Sequence, residues 1–292
     1  MERDGLRLLD RSGITAELLD SALSDEALEA EIPEAMRGVR LPVPEIRYFD
    51  SGGAELAVRI YRGAPDSVHV IYLPAEYDSS FTLGLLAAQY LAGGFTFVSL
   101  DYRGCGKSGG EKSLLETLDD LEPYYRFVRK WMGEEDRTGN LVVMGRSIGS
   151  ALALDLAVRV EKELLCLVLE SAFDRTRDYL SAKGIDLSAL PEDQPIFTNR
   201  DTMKGFSKPV LFIHSPRDTV QSLTQVEWLV AESRSKATQF QLAPSGTRED
   251  LAHQVNELYG EVVLQYINLR QGIRPPRKRR QHTRRSSHPS YH

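Results

Sequence analysis

Apolar residues arrive along this chain in short blocks rather than long runs. "VHVIYL", "FTFVSL", "LVVMG", "LLCLVLE" and "PVLFIH" are apolar at successive positions, as expected of short strands buried on both faces. Upstream, "EIRYF" and "LAVRIY" look like an antiparallel pair, and "ATQFQLA" adds a further strand. Most of the intervals carry helical spacing, as in "KSLLETLDDLEPYYRFVRK" and "ALALDLAVRV". "NELYGEVVLQYINL" is expected to close the fold as a helix with Leu258, Val262 and Tyr266 on one face. The fold class that follows is α/β: a mostly parallel sheet covered by helices on both faces, with its first strands antiparallel. The chain shows no internal repeat.

The first forty residues differ from the rest. In "ITAELLDSALSDEALEAEI", Ile14, Leu18, Leu19, Ala22 and Leu23 recur at helical spacing among many acids, which reads as an amphipathic helix. A packing arm is the simple reading of it; a substrate lid or partner helix is the alternative. "LPVPE" follows as a stiff connector, because each proline fixes its own dihedral and biases its predecessor towards extended backbone. We therefore divide the chain into an N-terminal helix and connector (1–44), one α/β domain (45–272) and a tail (273–292). A chain of 292 residues with 41% hydrophobic content is long enough to bury a large core in that one domain.

Charge and cysteine content narrow the function classes. The net charge of −6 hides a tail, from Arg274 onward, with seven basic residues and no acidic one. Such a tail can meet nucleic acid or an anionic surface, although disordered, solvated termini of this composition are commoner. The start "MERDGLRLLDRSG" lacks an apolar signal core, and no run approaches the roughly 18 apolar residues of a membrane span, so a cytoplasmic protein is expected. Cys105 and Cys166 are the two cysteines and lie in unrelated contexts, which leaves neither a disulfide framework nor a cysteine metal site. No cofactor or metal is expected.

"DYRGCGKSGG" (101–110) imitates two nucleotide motifs. Gly104, Gly106 and Gly109 spell G-x-G-x-x-G between a strand-like and a helix-like segment. The Walker reading fails because Asp101 stands where the first glycine belongs. A dinucleotide site needs an acid at the end of the next strand, and "NLVVMG" ends without one.

"VVMGRSIGS" carries the chemistry. Gly145, Ser147 and Gly149 spell G-x-S-x-G at the junction of a strand and a helical run, where a strained turn holds the serine hydroxyl clear of the sheet. A serine needs a base, and a neutral imidazole is the usual one. His282, His288 and His292 belong to the tail. His69 lies inside a strand pattern and His214 closes one, so both read as core or strand-end residues. His253, after the last strand, is left as the base. The acid that orients it should follow a strand at the carboxyl edge of the sheet; Asp218 in "PVLFIHSPRDTVQ" does so, with Asp174 in "LESAFDRTR" as runner-up.

The order Ser147, Asp218, His253 and the segments "LDYRGCGKSGG", "VVMGRSIGS", "LVLESAFD" and "PVLFIHSPRDTVQ" together resemble the α/β-hydrolase superfamily, in particular its small-capped esterase, thioesterase and serine-peptidase members. The resemblance spans about residues 45 to 270. It implies a catalytic triad of those three residues and makes the glycine cluster a tight loop at the pocket rim. It also implies an oxyanion hole from the backbone N–H of Ile148 and a loop after the first parallel strand. Relatives commonly carry His-Gly in that loop, whereas this chain has Pro74, Ala75 and Glu76. Proline has no amide hydrogen, so Ala75 or Glu76 should supply the second donor, with the Glu76 carboxylate pointing outward. Residues 173–208 would form a small cap. The activity implied is hydrolysis of a carboxylic ester or thioester of a small-molecule or acyl substrate. An aminopeptidase or amidase on the same triad, or a retired hydrolase fold serving as a binding module, are the alternatives.

Overall fold

The computed structural model describes residues 40–185, 187–188, 198–243 and 257–274, the first three residues of the last stretch by backbone alone. The expected N-terminal helix, His253, the tail beyond 274 and part of the cap segment lie outside the described residues.

The strands are β1 (Glu45–Ser51), β2 (Ala54–Tyr61), β3 (His69–Leu73), β4 (Thr96–Leu100), β5 (Leu141–Arg146), β6 (Leu164–Glu170), β7 (Val210–His214) and β8 (Thr238–Leu242). They form one sheet in the order β1-β2-β4-β3-β5-β6-β7-β8. The first two strands run antiparallel to their neighbours, and every other pairing is parallel. Gly52 and Gly53, both at positive φ, turn β1 into β2; a two-residue hairpin needs that backbone. Helices α1 (Ser80–Ala92), α2 (Leu114–Glu134), α3 (Ile148–Arg159), α4 (Thr176–Ala182), α5 (Asn199–Met203), α6 (Leu223–Ala231) and α7 (Glu257–Arg270) make the remaining layers.

The continuous apolar blocks become strands with a core on each side. Along β5, Leu141 and Val143 join Leu118, Leu121, Ala153 and Leu229 from α2, α3 and α6. Val142 and Met144 face the other way, towards Leu83 and Tyr90 of α1 and Val263, Tyr266 and Ile267 of α7. Fully burying one such side chain stabilises the fold by about 1.5–3 kcal/mol. The buried face of α7 therefore differs from the expected one: Tyr266 is on it, but Val263 and Ile267 take the inward positions and Val262 is only half-buried. The connector also packs, since the Leu41 side chain lies over Gly84 of α1, where a Cβ would come within 2.9 Å of it.

The chain leaves β3 towards β4 and later returns to β3's other edge with β5. This reversal of strand order opens a crevice beyond the carboxyl ends of β3 and β5, where α/β sheets bind their ligands. Leu73 pairs with Gly145, and Arg146 with Glu170, so the loops after β3, β5 and β6 emerge side by side there.

His69 opens β3 as a core residue, edge-on to Trp131 with ring centroids 5.8 Å apart. Burial, and then the Arg137 guanidinium, push its pKa down to about 4. An unfolded chain would protonate this imidazole near pH 6.5 while the native state refuses the proton down to about 4. Above pH 7 the group is neutral in both states and contributes nothing. As pH falls from about 6.5 to 4, stability should drop by on the order of 3 kcal/mol on its account. Urea unfolding at pH 7 and pH 4.5 should show His69→Phe losing less stability than the wild type; equal losses would remove His69 as the cause.

Candidate active site

Ser147 forms the turn between β5 and α3 with φ 54°, a left-handed backbone that few non-glycine residues adopt. The turn is held on both sides. Its N–H donates to the carbonyl of Glu170 at 3.0 Å, and Ser150 Oγ donates to its carbonyl at 2.6 Å. A Cβ on Gly145 would stand 2.0 Å from the Gly149 carbonyl oxygen, and one on Gly149 would stand 2.1 Å from that of Leu73. Both glycines of G-x-S-x-G are thus required by backbone contacts. Ile148 begins α3, and the first N–H groups of a helix have no partner within it, which makes this a natural place for developing negative charge.

Arg146 points away from Ser147 into a fully buried cluster. Its Nη1 lies 3.0 Å from Asp78 Oδ1 and its Nε 2.8 Å from Glu170 Oε2. Asp78 also accepts from the Tyr72 hydroxyl at 2.6 Å and from the Ala75 N–H at 2.8 Å. Burial raises the Tyr72 pKa far above the ordinary phenol value, against the pull of Arg146, so its hydroxyl stays a donor.

That arrangement changes the oxyanion loop. Ala75 was expected to share the second donor position with Glu76, but its N–H is committed to Asp78, which leaves the Glu76 amide as the loop's candidate. The Glu76 carboxylate does not point outward either. It is buried, with Oε1 accepting from the Tyr179 hydroxyl at 2.8 Å and lying 2.6 Å from Lys183 Nζ. The reason lies after β6: α4 supplies a phenol, and Lys183, directly after it, an ammonium, so the charge is compensated inside. Tyr179 Oη is also 3.2 Å from Ser147 Oγ, and its ring stacks on Phe173 at 4.2 Å. No sequence motif marked Tyr179, Lys183 or Asp78. The i, i+4 spacing of Tyr179 and Lys183 is the local signal that could have put those two side chains on one face.

Asp218 follows β7, as expected, and its Oδ1 accepts from the N–H groups of Val220 and Gln221, both at 2.9 Å. Its Oδ2 lies 4.0 Å from Nδ1 of the buried His214, which closes β7 with Nε2 3.2 Å from the Gln221 carbonyl oxygen. Asp174, the alternative acid, is paired with Arg200 of α5, whose Nε lies 2.8 Å from Oδ1. His253 belongs to the stretch outside the described residues.

The glycine-rich loop binds itself. Gly104, Cys105, Ser108 and Gly109 donate their N–H groups to the carbonyls of Gly109, Tyr102, Cys105 and Glu55, and Lys107 donates to Asp101 Oδ2 at 2.9 Å. Asp101 is held by Arg59 through two hydrogen bonds of 2.6 and 2.9 Å. Amides that would cradle a phosphate are already used, and the loop supports the site through Tyr102, whose hydroxyl donates to the Pro74 carbonyl at 2.7 Å. Among the described residues, no cluster of side chains is suited to hold a metal ion, and no helix is long and apolar enough to cross a membrane.

Comparison with known proteins agrees with this geometry. The family model for serine aminopeptidase, S33, matches residues 76–192. The chain is 26% identical over 180 residues to human alpha/beta hydrolase domain-containing protein 17B, covering 58% of this chain and 57% of that protein. It is 28% identical over 148 residues to the lysophosphatidylserine lipase ABHD12 of Danio rerio, covering 44% of this chain and 36% of that one. The chain thus spans little more than half of these curated relatives at most. The solved esterase Pf2001 of Pyrococcus furiosus superposes with a TM-score of 0.65 at 17% identity, over 78% of this chain and 92% of that one, a likeness of fold.

Removing Arg146 strands two buried carboxylates. Arg146→Met should destabilise the protein by about 3–5 kcal/mol, the usual consequence of breaking a buried ion pair from one side. Chemical denaturation followed by circular dichroism measures it; a loss under about 1 kcal/mol would show that Asp78 and Glu170 do not depend on it.

Proposed function

We propose that this chain, which has the α/β-hydrolase fold and matches a serine aminopeptidase family model over residues 76–192, is a hydrolase of that superfamily that cleaves a carboxylic ester or thioester through an acyl-enzyme on Ser147. The observation that carries this reading is the strained backbone of Ser147 at the crevice, between the helix terminus at Ile148 and the loop after β3. In this mechanism Ser147 Oγ attacks the carbonyl carbon. His253 removes its proton and returns it to the leaving group, and Asp218 orients the imidazole and stabilises its charged form. The N–H groups of Ile148 and Glu76 receive the oxyanion. Water, activated by His253, then releases the acid. The working unit is the domain 45–272 with residues 173–208 as its cap.

The names of the relatives support ester substrates, an esterase and a lipase among them, while the matching family model is that of a serine aminopeptidase. An amidase or aminopeptidase would use the same three residues. A retired hydrolase fold acting as a binding module is favoured by one observation, the buried Glu76 carboxylate beside the nucleophile; its pairing with Lys183 removes much of that objection.

A fluorophosphonate probe should label the wild type and not Ser147→Ala. Turnover of p-nitrophenyl acetate should fall by roughly four to six powers of ten in Ser147→Ala or His253→Ala, with the double variant little worse, because the residues act as one unit. Asp218→Asn should cost somewhat less. The pH profile of kcat/KM should rise through a group near 6.5 to 7, the neutral imidazole being the base. Unlabelled but folded wild type would return the protein to the binding-module reading. Faster turnover of amino-acid p-nitroanilides than of the ester would select the aminopeptidase.

A further inference from the structure

We propose that the Tyr179 hydroxyl is a side-chain oxyanion donor, set in place by the Glu76–Lys183 pair. The proposal rests on Ser147 being the nucleophile. Tyr179 Oη lies 3.2 Å from Ser147 Oγ and donates to the carboxylate of Glu76, in the loop after β3, at 2.8 Å. A hydroxyl with those two neighbours lies on the oxyanion-loop side of the nucleophile. The loop itself is poor in donors there, because Pro74 has no N–H and that of Ala75 is turned to Asp78. Tyr179 is fully buried and stacked on Phe173, so its hydroxyl is already positioned when charge develops, as an effective donor must be.

The proton count allows the exchange. A phenol has one hydrogen; at rest it goes to Glu76, so Ser147 is the donor in the contact with Tyr179. When Ser147 gives its proton to the base and its Oγ bonds to the carbonyl carbon, that donation ends. The oxyanion is one carbon away from Oγ, and Tyr179 turns its hydrogen from Glu76 to it. Glu76 is not left bare, because Lys183 Nζ remains 2.6 Å from the same oxygen. Lys183 is in this sense a positioning residue. It offsets a carboxylate that would otherwise hold the phenol hydrogen and repel the oxyanion.

The test uses the full chain and p-nitrophenyl acetate, with a phenyl trifluoromethyl ketone as the transition-state mimic. Tyr179→Phe keeps the ring and its stacking. It should lower kcat by about a hundredfold with KM nearly unchanged, as loss of one oxyanion donor does, and weaken inhibition by the ketone by a similar factor. Lys183→Met, at a half-buried site, should lower kcat by about tenfold, and adding Glu76→Gln should restore much of it by removing the unbalanced charge. Thermal melts by circular dichroism confirm that each variant is folded. Wild-type kcat in Tyr179→Phe, or a loss confined to KM, overturns the proposal while leaving Ser147 in its role. So does failure of Glu76→Gln to rescue Lys183→Met. Wild type that neither labels with a fluorophosphonate nor turns over overturns the hydrolase reading and this proposal together.

Discussion

The guanidinium of Arg146 is the constraint from which the rest of the crevice follows. It lies fully buried at the end of β5, hydrogen-bonded to Asp78 beyond β3 and ion-paired with Glu170 at the end of β6, and so ties three neighbouring strand ends to one planar group. Such a cluster contributes little net stability, since removing three charges from water costs about as much as their attraction returns. Its value is geometric. Asp78, held by Arg146, takes the Ala75 N–H and the Tyr72 hydroxyl and thereby shapes the loop after β3. Glu170 presents the carbonyl that accepts the N–H of Ser147. The left-handed turn at Ser147 persists because its surroundings over-determine it.

Buried carboxylates crowd this edge of the sheet and are met by cations: Arg146 between Asp78 and Glu170, Arg59 at Asp101, Lys183 at Glu76, Arg200 at Asp174. The pairs divide the work. Arg59 and Asp101 stiffen the glycine-rich loop, which props the loop after β3 through Tyr102. Arg200 uses Asp174 to bind α5 to the start of the cap. Asp218 instead is held by the backbone N–H groups of Val220 and Gln221, which leaves its second oxygen outside the turn that fixes it.

Legibility in the sequence followed the range of each interaction. The central strands were readable because both faces of the sheet are covered there, so most of their positions are apolar. The turn at Ser147 was readable because its two glycines answer to contacts within a few residues and one neighbouring strand. The buried face of α7 was misjudged by one position, since Val262 and Val263 are equally apolar and only the packing on α1 and β6 decides between them. Glu76 was misjudged for a deeper reason. A carboxylate beside a nucleophile reads as a liability when the chain is read locally, and its compensation comes from Tyr179 and Lys183, more than a hundred residues away. Arg146 reads in the motif as an unconstrained position, although its partners lie 68 residues upstream and 24 downstream.

This division has a consequence for how the fold can be adapted. Residues that shape the backbone of Ser147 come from the sheet and are fixed by hydrogen bonds among strand ends, where small displacements would break several contacts at once. Tyr179, which meets the Ser147 hydroxyl from the other side, comes from a helix of seven residues anchored by its own buried Thr176 and Leu180. Lys183, half-buried directly after that helix, can be substituted without touching the hydrogen bonds that hold the turn at Ser147. The turn at Ser147 thus rests on the sheet, whereas the polar groups that meet its hydroxyl rest on a separate connecting segment, where the sequence can vary with less consequence for the scaffold.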